Sequence, residues 1–97
     1  MQNFNQLTPA ETERLALLME ELGEAQQAAG KILRHGYEST NPDGGPTNRA
    51  TLERELGDVR HAMIRICAAG DLSKDHIHTW ADEKAINVEK YLHHQGG

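Results

Sequence analysis

An acidic stretch, Glu20-Glu21-Leu22-Gly23-Glu24, occurs early in the chain and returns in altered form as Glu55-Leu56-Gly57-Asp58. At about 100° per residue, the apolar residues in and around each copy form one stripe along a helix. In both copies two carboxylates, three residues apart, lie on the flank of that stripe. The repeat therefore predicts two amphipathic helices that pack stripe against stripe as an antiparallel hairpin. The stripes are Leu18, Leu22, Ala25, Ala29 and Ile32 in the first copy, and Leu52, Leu56, Val59, Met63 and Ile66 in the second.

Capping residues and glycines predict where the helices begin and end. Thr8-Pro9-Ala10-Glu11 combines an N-cap, a proline at the first helical position and the glutamate of a capping box. Glycines and prolines fill residues 36–48, which predicts a loop. No segment alternates as a strand does, so the predicted fold is all-α, a single domain over residues 1–97 with a loose arm at 1–7 and a tail at 93–97. The predicted helices run from Thr8 to about His35, from Thr47 or Asn48 to about Ala69, and from Ser73 to about Leu92.

The size and composition of the chain predict that one copy forms an incomplete core. The 97 residues are 37% hydrophobic and include one tryptophan, two tyrosines and one phenylalanine. A chain of this length buries only about two-thirds of the surface that its unfolded form exposes. We therefore expect two copies to pair their hairpins into a four-helix bundle, as a homodimer or a homotetramer.

Charge and cysteine content exclude several classes of protein. The net charge of −5 argues against nucleic-acid binding, which needs clustered Lys and Arg. No apolar run reaches the roughly 18 residues that a membrane span requires, and the first residues lack the pattern of a signal peptide. Cys67 is the only cysteine, which excludes an intrachain disulfide and suits a reducing compartment. These features predict a cytoplasmic protein without nucleic-acid or membrane partners.

Two carboxylate pairs, Glu21 with Glu24 and Glu55 with Asp58, predict a metal site between the helices. Both pairs lie at the same offset from their stripe, so an antiparallel hairpin would bring them together across the groove. Four carboxylates at a partly desolvated edge repel one another, and a hard divalent cation removes that penalty. Oxygen ligands favour Mg²⁺, with Mn²⁺ as a substitute, while the lack of histidine and cysteine argues against zinc. The alternative is that these carboxylates form a solvated acidic face. A single carboxylate pair on a helix would favour that alternative, whereas the repeat of the pair at the same offset favours a metal site.

A resemblance to a known family follows from three motifs. These are Glu20-Glu21-x-x-Glu24, Glu55-x-x-Asp58 and Lys84-x-x-Asn87-x-x-Lys90-Tyr91. Together they resemble the signature of the MazG-like all-α nucleoside triphosphate pyrophosphohydrolases over roughly residues 15–92. The resemblance implies Mg²⁺-dependent hydrolysis of an NTP or dNTP between its α- and β-phosphates, which releases a monophosphate and pyrophosphate. It also implies helical dimers or tetramers.

The resemblance and the helical geometry give roles to individual residues. Lys84 and Asn87 fall in the third motif, which implies a position near the phosphates. Lys31 and Arg65 follow from geometry, because each lies two turns beyond a carboxylate on the same flank; these four are the predicted substrate-binding residues. The metal ligands that the resemblance implies are Glu21, Glu24, Glu55 and Asp58. The catalytic residues that it implies are Glu20, Glu21 and Glu24.

Two alternatives stay open from the sequence. Phosphoribosyl-ATP pyrophosphatase is a related enzyme of similar length, although Gly57 and the run Val59-Arg60-His61 depart from its usual motif. A non-enzymatic helical interaction module would instead use the apolar stripes to bind a partner. Gly23 and Gly57 each weaken a helix interior by about 1 kcal/mol, so we expect a third helix or a second subunit to approach closely there.

Overall fold

The computed structural model describes residues 4–95, which fold into three α-helices and one 3-10 turn. Within the described residues there is no β-strand, only an isolated bridge between Asn41 and Gly44. The predicted all-α class with three helices is therefore confirmed. Residues 1–3 and 96–97, in the predicted arm and tail, lie outside the described residues. The elements are α1 at Pro9–His35, α2 at Asn48–Ala68, α3 at Lys74–Asn87 and the 3-10 turn at Glu89–Tyr91.

Side-chain hydrogen bonds explain why the first two helices begin at the predicted places. The Thr8 hydroxyl accepts a hydrogen bond from the Glu11 amide at 3.1 Å, and the Glu11 carboxylate accepts one from the Thr8 amide at 2.8 Å. This is the predicted capping box. Thr47, rather than Asn48, caps α2, because its hydroxyl accepts a hydrogen bond from the Ala50 amide at 3.1 Å.

The third helix begins where predicted but ends early. Ser73 caps it through its side-chain hydroxyl. The regular helix stops at Asn87 rather than near Leu92, because the chain tightens into the 3-10 turn, in which the Tyr91 amide donates to the Val88 carbonyl at 2.9 Å. Such tightening is common at helix ends. The residues after Asn87, which the sequence predicts to continue the α-helix, form a 3-10 turn instead.

The loop between α1 and α2 turns the chain back through contacts with the start of α2. Gly36 ends α1 at a φ of 90°, a conformation that favours glycine. The Arg49 amide donates to the Tyr37 carbonyl at 2.9 Å, and the Arg49 guanidinium lies 2.7 Å from the Glu38 carboxylate. The same guanidinium stacks 4.4 Å from the centre of the Tyr37 ring. These contacts hold α1 and α2 side by side and antiparallel.

The interface between α1 and α2 is built on small and branched apolar residues. They recur at alternating intervals of three and four residues, the spacing of closely packed helices. Glu21 and Glu55 fall in the same series and are half-buried. The interface therefore includes one carboxylate from each helix. Its fully buried residues are Ala25, Ala28, Val59, Ala62 and Ile66.

The interface is rotated relative to the predicted stripes. Leu22 is 49% exposed and Leu56 is 52% exposed, although both belong to the stripes that were expected to pack together. Met63, another stripe residue, is 36% exposed, so the expected stripe-on-stripe packing is wrong at three positions. Ala28 and Ala62, which lie outside the stripes, are buried instead. The packed face of the hairpin is therefore turned toward Ala28 and Ala62, and the two leucines turn outward.

Helix α3 extends away from the hairpin, so the single chain is open. The radius of gyration is 17.1 Å, whereas a compact chain of this length would have about 12.5 Å. Arg14 joins α1 to the turn before α3 through two hydrogen bonds to Asp71, with Nε at 2.6 Å from Oδ2 and Nη2 at 3.0 Å from Oδ1. Trp80 and Ile86 stay exposed on α3. None of the helices in residues 4–95 is long and apolar enough to cross a lipid bilayer.

Candidate metal centre

Four carboxylates converge where α1 and α2 face each other. The antiparallel course of the hairpin places Glu24 beside Glu55, and Glu21 near Asp58. One oxygen from each of the four lies within 4.8 Å of the others. The structure thus brings together all four residues that are expected to be metal ligands.

Two of these carboxylates carry a buried oxygen that lacks a hydrogen-bond partner. Within the described part of the chain, neither Oε2 of Glu21 nor Oε2 of Glu55 accepts a hydrogen bond, and both atoms are shielded from solvent. A buried charged oxygen that no donor or cation satisfies is costly, and buried charges in proteins are normally paired or coordinate a metal. The arrangement therefore suits a cation between the two helices.

The pKa values of Glu21 and Glu24 are raised, because these carboxyls are partly desolvated and lie close to other carboxylates. Desolvation by burial raises the pKa of Glu21, and repulsion from Glu24 and Asp58 raises it further. A hydrogen bond with Glu55 is the largest cause of the raised pKa of Glu24, and desolvation is the next. A proton on Glu24 relieves its repulsion with the neighbouring carboxylates, and a bound cation would take its place.

The donor set fits a hard divalent cation in chemistry and in size. All four side chains offer carboxylate oxygens, which Mg²⁺ and Mn²⁺ prefer, and none offers nitrogen or sulfur. In an octahedral Mg²⁺ site, opposite oxygens lie about 4.2 Å apart, twice the usual metal–oxygen distance. The observed upper spacing of 4.8 Å exceeds this by a fraction of an ångström. Small side-chain rotations would therefore close the cluster around one ion.

Two clefts flank the carboxylate cluster along the hairpin. The loop-side cleft lies toward the 36–47 loop, and the open-end cleft lies toward the other end of the hairpin. The loop-side cleft has a volume of about 410 Å³ and is lined mainly by Glu24, Gln27, Lys31, Thr51, Arg54 and Glu55. The open-end cleft has a volume of about 480 Å³ and is lined by Glu13, Arg14, His61, Ile64, Arg65, Ala68 and Ala69.

The predicted substrate-binding residues are divided between these clefts and α3. Lys31 lines the loop-side cleft and Arg65 lines the open-end cleft. Lys84 and Asn87 are exposed on α3 and line neither cleft. Glu20 is exposed beside the cluster, close enough to add to the repulsion that raises the pKa of two neighbouring carboxyls. A single chain therefore places Lys31 in a cleft that cluster carboxylates also line, whereas Arg65 lies in the second cleft, which none of the four lines.

Sequence reasoning missed two basic residues that border the cluster, Arg54 and His61. Arg54 forms part of the loop-side cleft. His61, interpreted from the sequence as a surface residue, lies near enough to Glu21 to lower the pKa of that carboxyl, and its Nε2 is 3.2 Å from Nη2 of Arg65. Their spacing in the sequence does carry a signal. Arg54 precedes Asp58 by four residues and His61 follows it by three, which places both on the same helix face as that carboxylate.

The two glycines of the repeated stretch have no close neighbours in this chain. A Cβ atom added at Gly23 or Gly57 would meet nothing within 4 Å among the described residues. The expected close approach of the third helix is therefore wrong. The close approach of a second subunit at these glycines stays a prediction.

Comparisons of the chain with protein-family models, with curated proteins and with solved structures found no match. The fold and the site define a class, an all-α protein whose helical hairpin holds four carboxylates at its interface. The chemistry open to this protein follows from those residues and from the basic groups beside them.

Proposed function

We propose that the protein is a Mg²⁺-dependent nucleoside triphosphate pyrophosphohydrolase, which cleaves an NTP or dNTP between the α- and β-phosphates into a monophosphate and pyrophosphate. The observation that carries the proposal is the pair of buried, unsatisfied oxygens on Glu21 and Glu55 within a cluster of four carboxylates. The carboxylates of a solvated acidic face would instead have their oxygens in water. The motifs that resemble those of MazG-like pyrophosphohydrolases support the same function.

The residues of the site divide into those that hold the metal and one that is free to accept a proton. Mg²⁺ supplies positive charge against the phosphate oxygens and lowers the pKa of a water bound to it. Glu20 is exposed beside the cluster and is not one of its four members, so its carboxylate takes the proton of the attacking water. The water oxygen bonds to the α-phosphorus, the bond from the α-phosphorus to the α–β bridging oxygen breaks, and pyrophosphate leaves with that oxygen. The residues that would hold Mg²⁺ are Glu21, Glu24, Glu55 and Asp58.

The active form in this proposal is a homodimer or a homotetramer. A cleft of about 630 Å³ between α2 and α3 is lined largely by apolar side chains. Other apolar side chains on the three helices are exposed to solvent. Pairing two hairpins into a four-helix bundle would cover this surface. The exposed apolar residues include Leu15, Met19, Leu22, Leu56, Met63, Trp80 and Ile86.

Light scattering tests the proposed assembly. At micromolar concentration we expect the mass of a dimer or a tetramer, because a single chain leaves its apolar surface in water. A mass equal to the 10.8 kDa of one chain would contradict the proposed assembly.

A screen of nucleotides for pyrophosphate release tests the proposed activity. The full chain is incubated with each NTP and dNTP in the presence of Mg²⁺, and with phosphoribosyl-ATP to cover the alternative from the sequence. Metal-dependent release from at least one NTP or dNTP is expected. Glu24→Gln should abolish it, whereas Glu53→Gln, at an exposed position on α2 outside the cluster, should not. Release from none of these nucleotides would contradict the proposal and favour the non-enzymatic interaction module.

A further inference from the structure

The loop-side cleft combines two members of the carboxylate cluster with two cations. Two carboxylates of the cluster, Glu24 and Glu55, line this cleft. Lys31 from α1 and Arg54 from α2 line it as well. Among the described residues, no aromatic side chain lines this cleft, so it offers no stacking surface for a base. Its polar and charged lining is instead suited to a polyanion next to a bound metal.

The two cations of the loop-side cleft are not engaged by acidic partners. Neither Lys31 nor Arg54 forms an ion pair shorter than 4.0 Å within residues 4–95. Both side chains are therefore available to an anionic ligand. The ion pairs that the described residues do form are Arg14 with Asp71, Arg49 with Glu38, and His78 with Asp82.

The open-end cleft differs, because one of its two arginines is already paired with a carboxylate. Arg14 is held by Asp71 through two hydrogen bonds, and Arg65 lies within hydrogen-bonding distance of His61 at 3.2 Å. Glu13 adds a negative charge to the lining of the same cleft. Glu24 and Glu55 also bring two carboxylates to the loop-side lining, so this cleft is the better anion site once a divalent cation neutralises them and leaves Lys31 and Arg54 for the ligand.

We propose that the loop-side cleft binds the pyrophosphate portion of a nucleoside triphosphate, with Arg54 and Lys31 as the binding residues. The proposal rests on the function proposed above, because the cluster carboxylates repel a phosphate chain unless a divalent cation inverts the local charge. The planar guanidinium of Arg54 contacts two phosphate oxygens at once, and Lys31 adds a point charge. The β- and γ-phosphates carry most of the negative charge of the substrate. They therefore lie at the loop-side end, and the nucleoside extends toward the open-end cleft.

Calorimetric titration of inorganic pyrophosphate into the full chain, with saturating Mg²⁺, tests this subsite without catalysis. Wild type should bind pyrophosphate. Arg54→Gln and Lys31→Gln should each weaken binding by about tenfold or more, as expected for the loss of a charge-assisted hydrogen bond. Arg34→Gln is the matched control, because Arg34 is an exposed cation on α1 that lines neither flanking cleft. It should bind as wild type does, and thermal melts show that each variant is folded.

Arg65→Gln tests the orientation of the substrate in the same titration. Because Arg65 lines the open-end cleft, its loss should weaken pyrophosphate binding less than the loss of Arg54 does. The proposal is overturned if wild type fails to bind pyrophosphate, or if Arg54→Gln and Lys31→Gln both bind as tightly as wild type. It is also overturned if Arg65→Gln weakens binding as much as Arg54→Gln does.

The failure of this subsite can be distinguished from a failure of the proposed enzymatic function. If nucleotides are hydrolysed, but neither pyrophosphate binding nor the KM for the nucleotide depends on Arg54 and Lys31, the subsite is wrong and the function stands. If no nucleotide is hydrolysed, but Mg²⁺-dependent pyrophosphate binding requires Arg54 and Lys31, the function is wrong and the cleft is an anion site of another kind.

Discussion

Glu21→Gln removes one negative charge from the carboxylate cluster and nearly preserves the shape of the side chain. In the wild type, four carboxylates lie within 4.8 Å of one another, and Oε2 of Glu21 is buried without a partner. Without a divalent cation, the variant should unfold at a higher temperature than the wild type, because it loses repulsion with Glu24 and Asp58. In saturating Mg²⁺ the wild type should instead unfold at the higher temperature, since only the wild type offers all four ligands.

The size of the Mg²⁺ effect follows from binding linkage and the length of the chain. A ligand at 100 times its Kd adds about 2.7 kcal/mol to the free energy of unfolding. In a domain of roughly 60–100 residues, each 1 kcal/mol raises Tm by about 4–8 °C. The 97-residue wild type should therefore gain about 10–20 °C. If Glu21→Gln weakens Mg²⁺ binding tenfold, its gain should be about half as large.

Thermal unfolding followed by circular dichroism, at one fixed protein concentration, measures this effect. The concentration is fixed because oligomerisation also changes Tm. Glu53→Gln is the control, since it removes the same charge from an exposed position on α2 outside the cluster, and its Mg²⁺ gain should match that of the wild type. A wild type that gains nothing from Mg²⁺ would refute the reasoning. So would an equal gain in wild type and Glu21→Gln.

Titration, core truncation and a helix glycine offer three more tests. The pKa values of Glu21 and Glu24 are raised above the usual 4.5, so just above that value the folded state binds more protons than the unfolded chain. Without Mg²⁺, stability should fall as pH rises from 4.5 through the raised pKa values, and saturating Mg²⁺ should remove that slope in urea melts. Ile66→Ala should lower the free energy of unfolding in urea by about 2–5 kcal/mol, since Ile66 is 1% exposed. Leu33→Ala is the control: Leu33 is 89% exposed, so the free energy of unfolding should change by less than about 0.5 kcal/mol. Gly30→Ala should add about 0.5–1 kcal/mol, because an added Cβ meets nothing within 4 Å in the interior of α1; a lower Tm would contradict this.

Features that depend on residues close in sequence could be predicted from the sequence. Thr8 and Ser73 start helices through hydrogen bonds to amides three residues along the chain, so a short motif contains both partners. The convergence of the carboxylates could also be predicted, because the repeat gives Glu21 and Glu55 the same position relative to the apolar stripe of each helix. An antiparallel hairpin then brings them together.

Features that depend on the fit between distant elements could not be predicted in the same way. On a helical wheel Leu22 and Leu56 lie at one edge of each apolar stripe, but the wheel does not show that the packed face turns away from them and buries Ala28 and Ala62. The direction of α3 depends on the turn held by Asp71 and Arg14, not on any pattern within α3. The motif alone therefore could not predict where Lys84 and Asn87 lie relative to the cluster.

The rate of pyrophosphate release by Asp58→Asn, compared with wild type in Mg²⁺ on the best nucleotide of the screen, tests the role of the carboxylate cluster most directly. Asp58 is one of the four converging carboxylates and is half-buried beside the hairpin interface. The substitution keeps the shape of the side chain and removes one charged ligand. We predict a folded variant, by circular dichroism, whose pyrophosphate release falls to background. A folded Asp58→Asn variant with the wild-type rate would contradict the assignment of this cluster as the metal-dependent hydrolytic site.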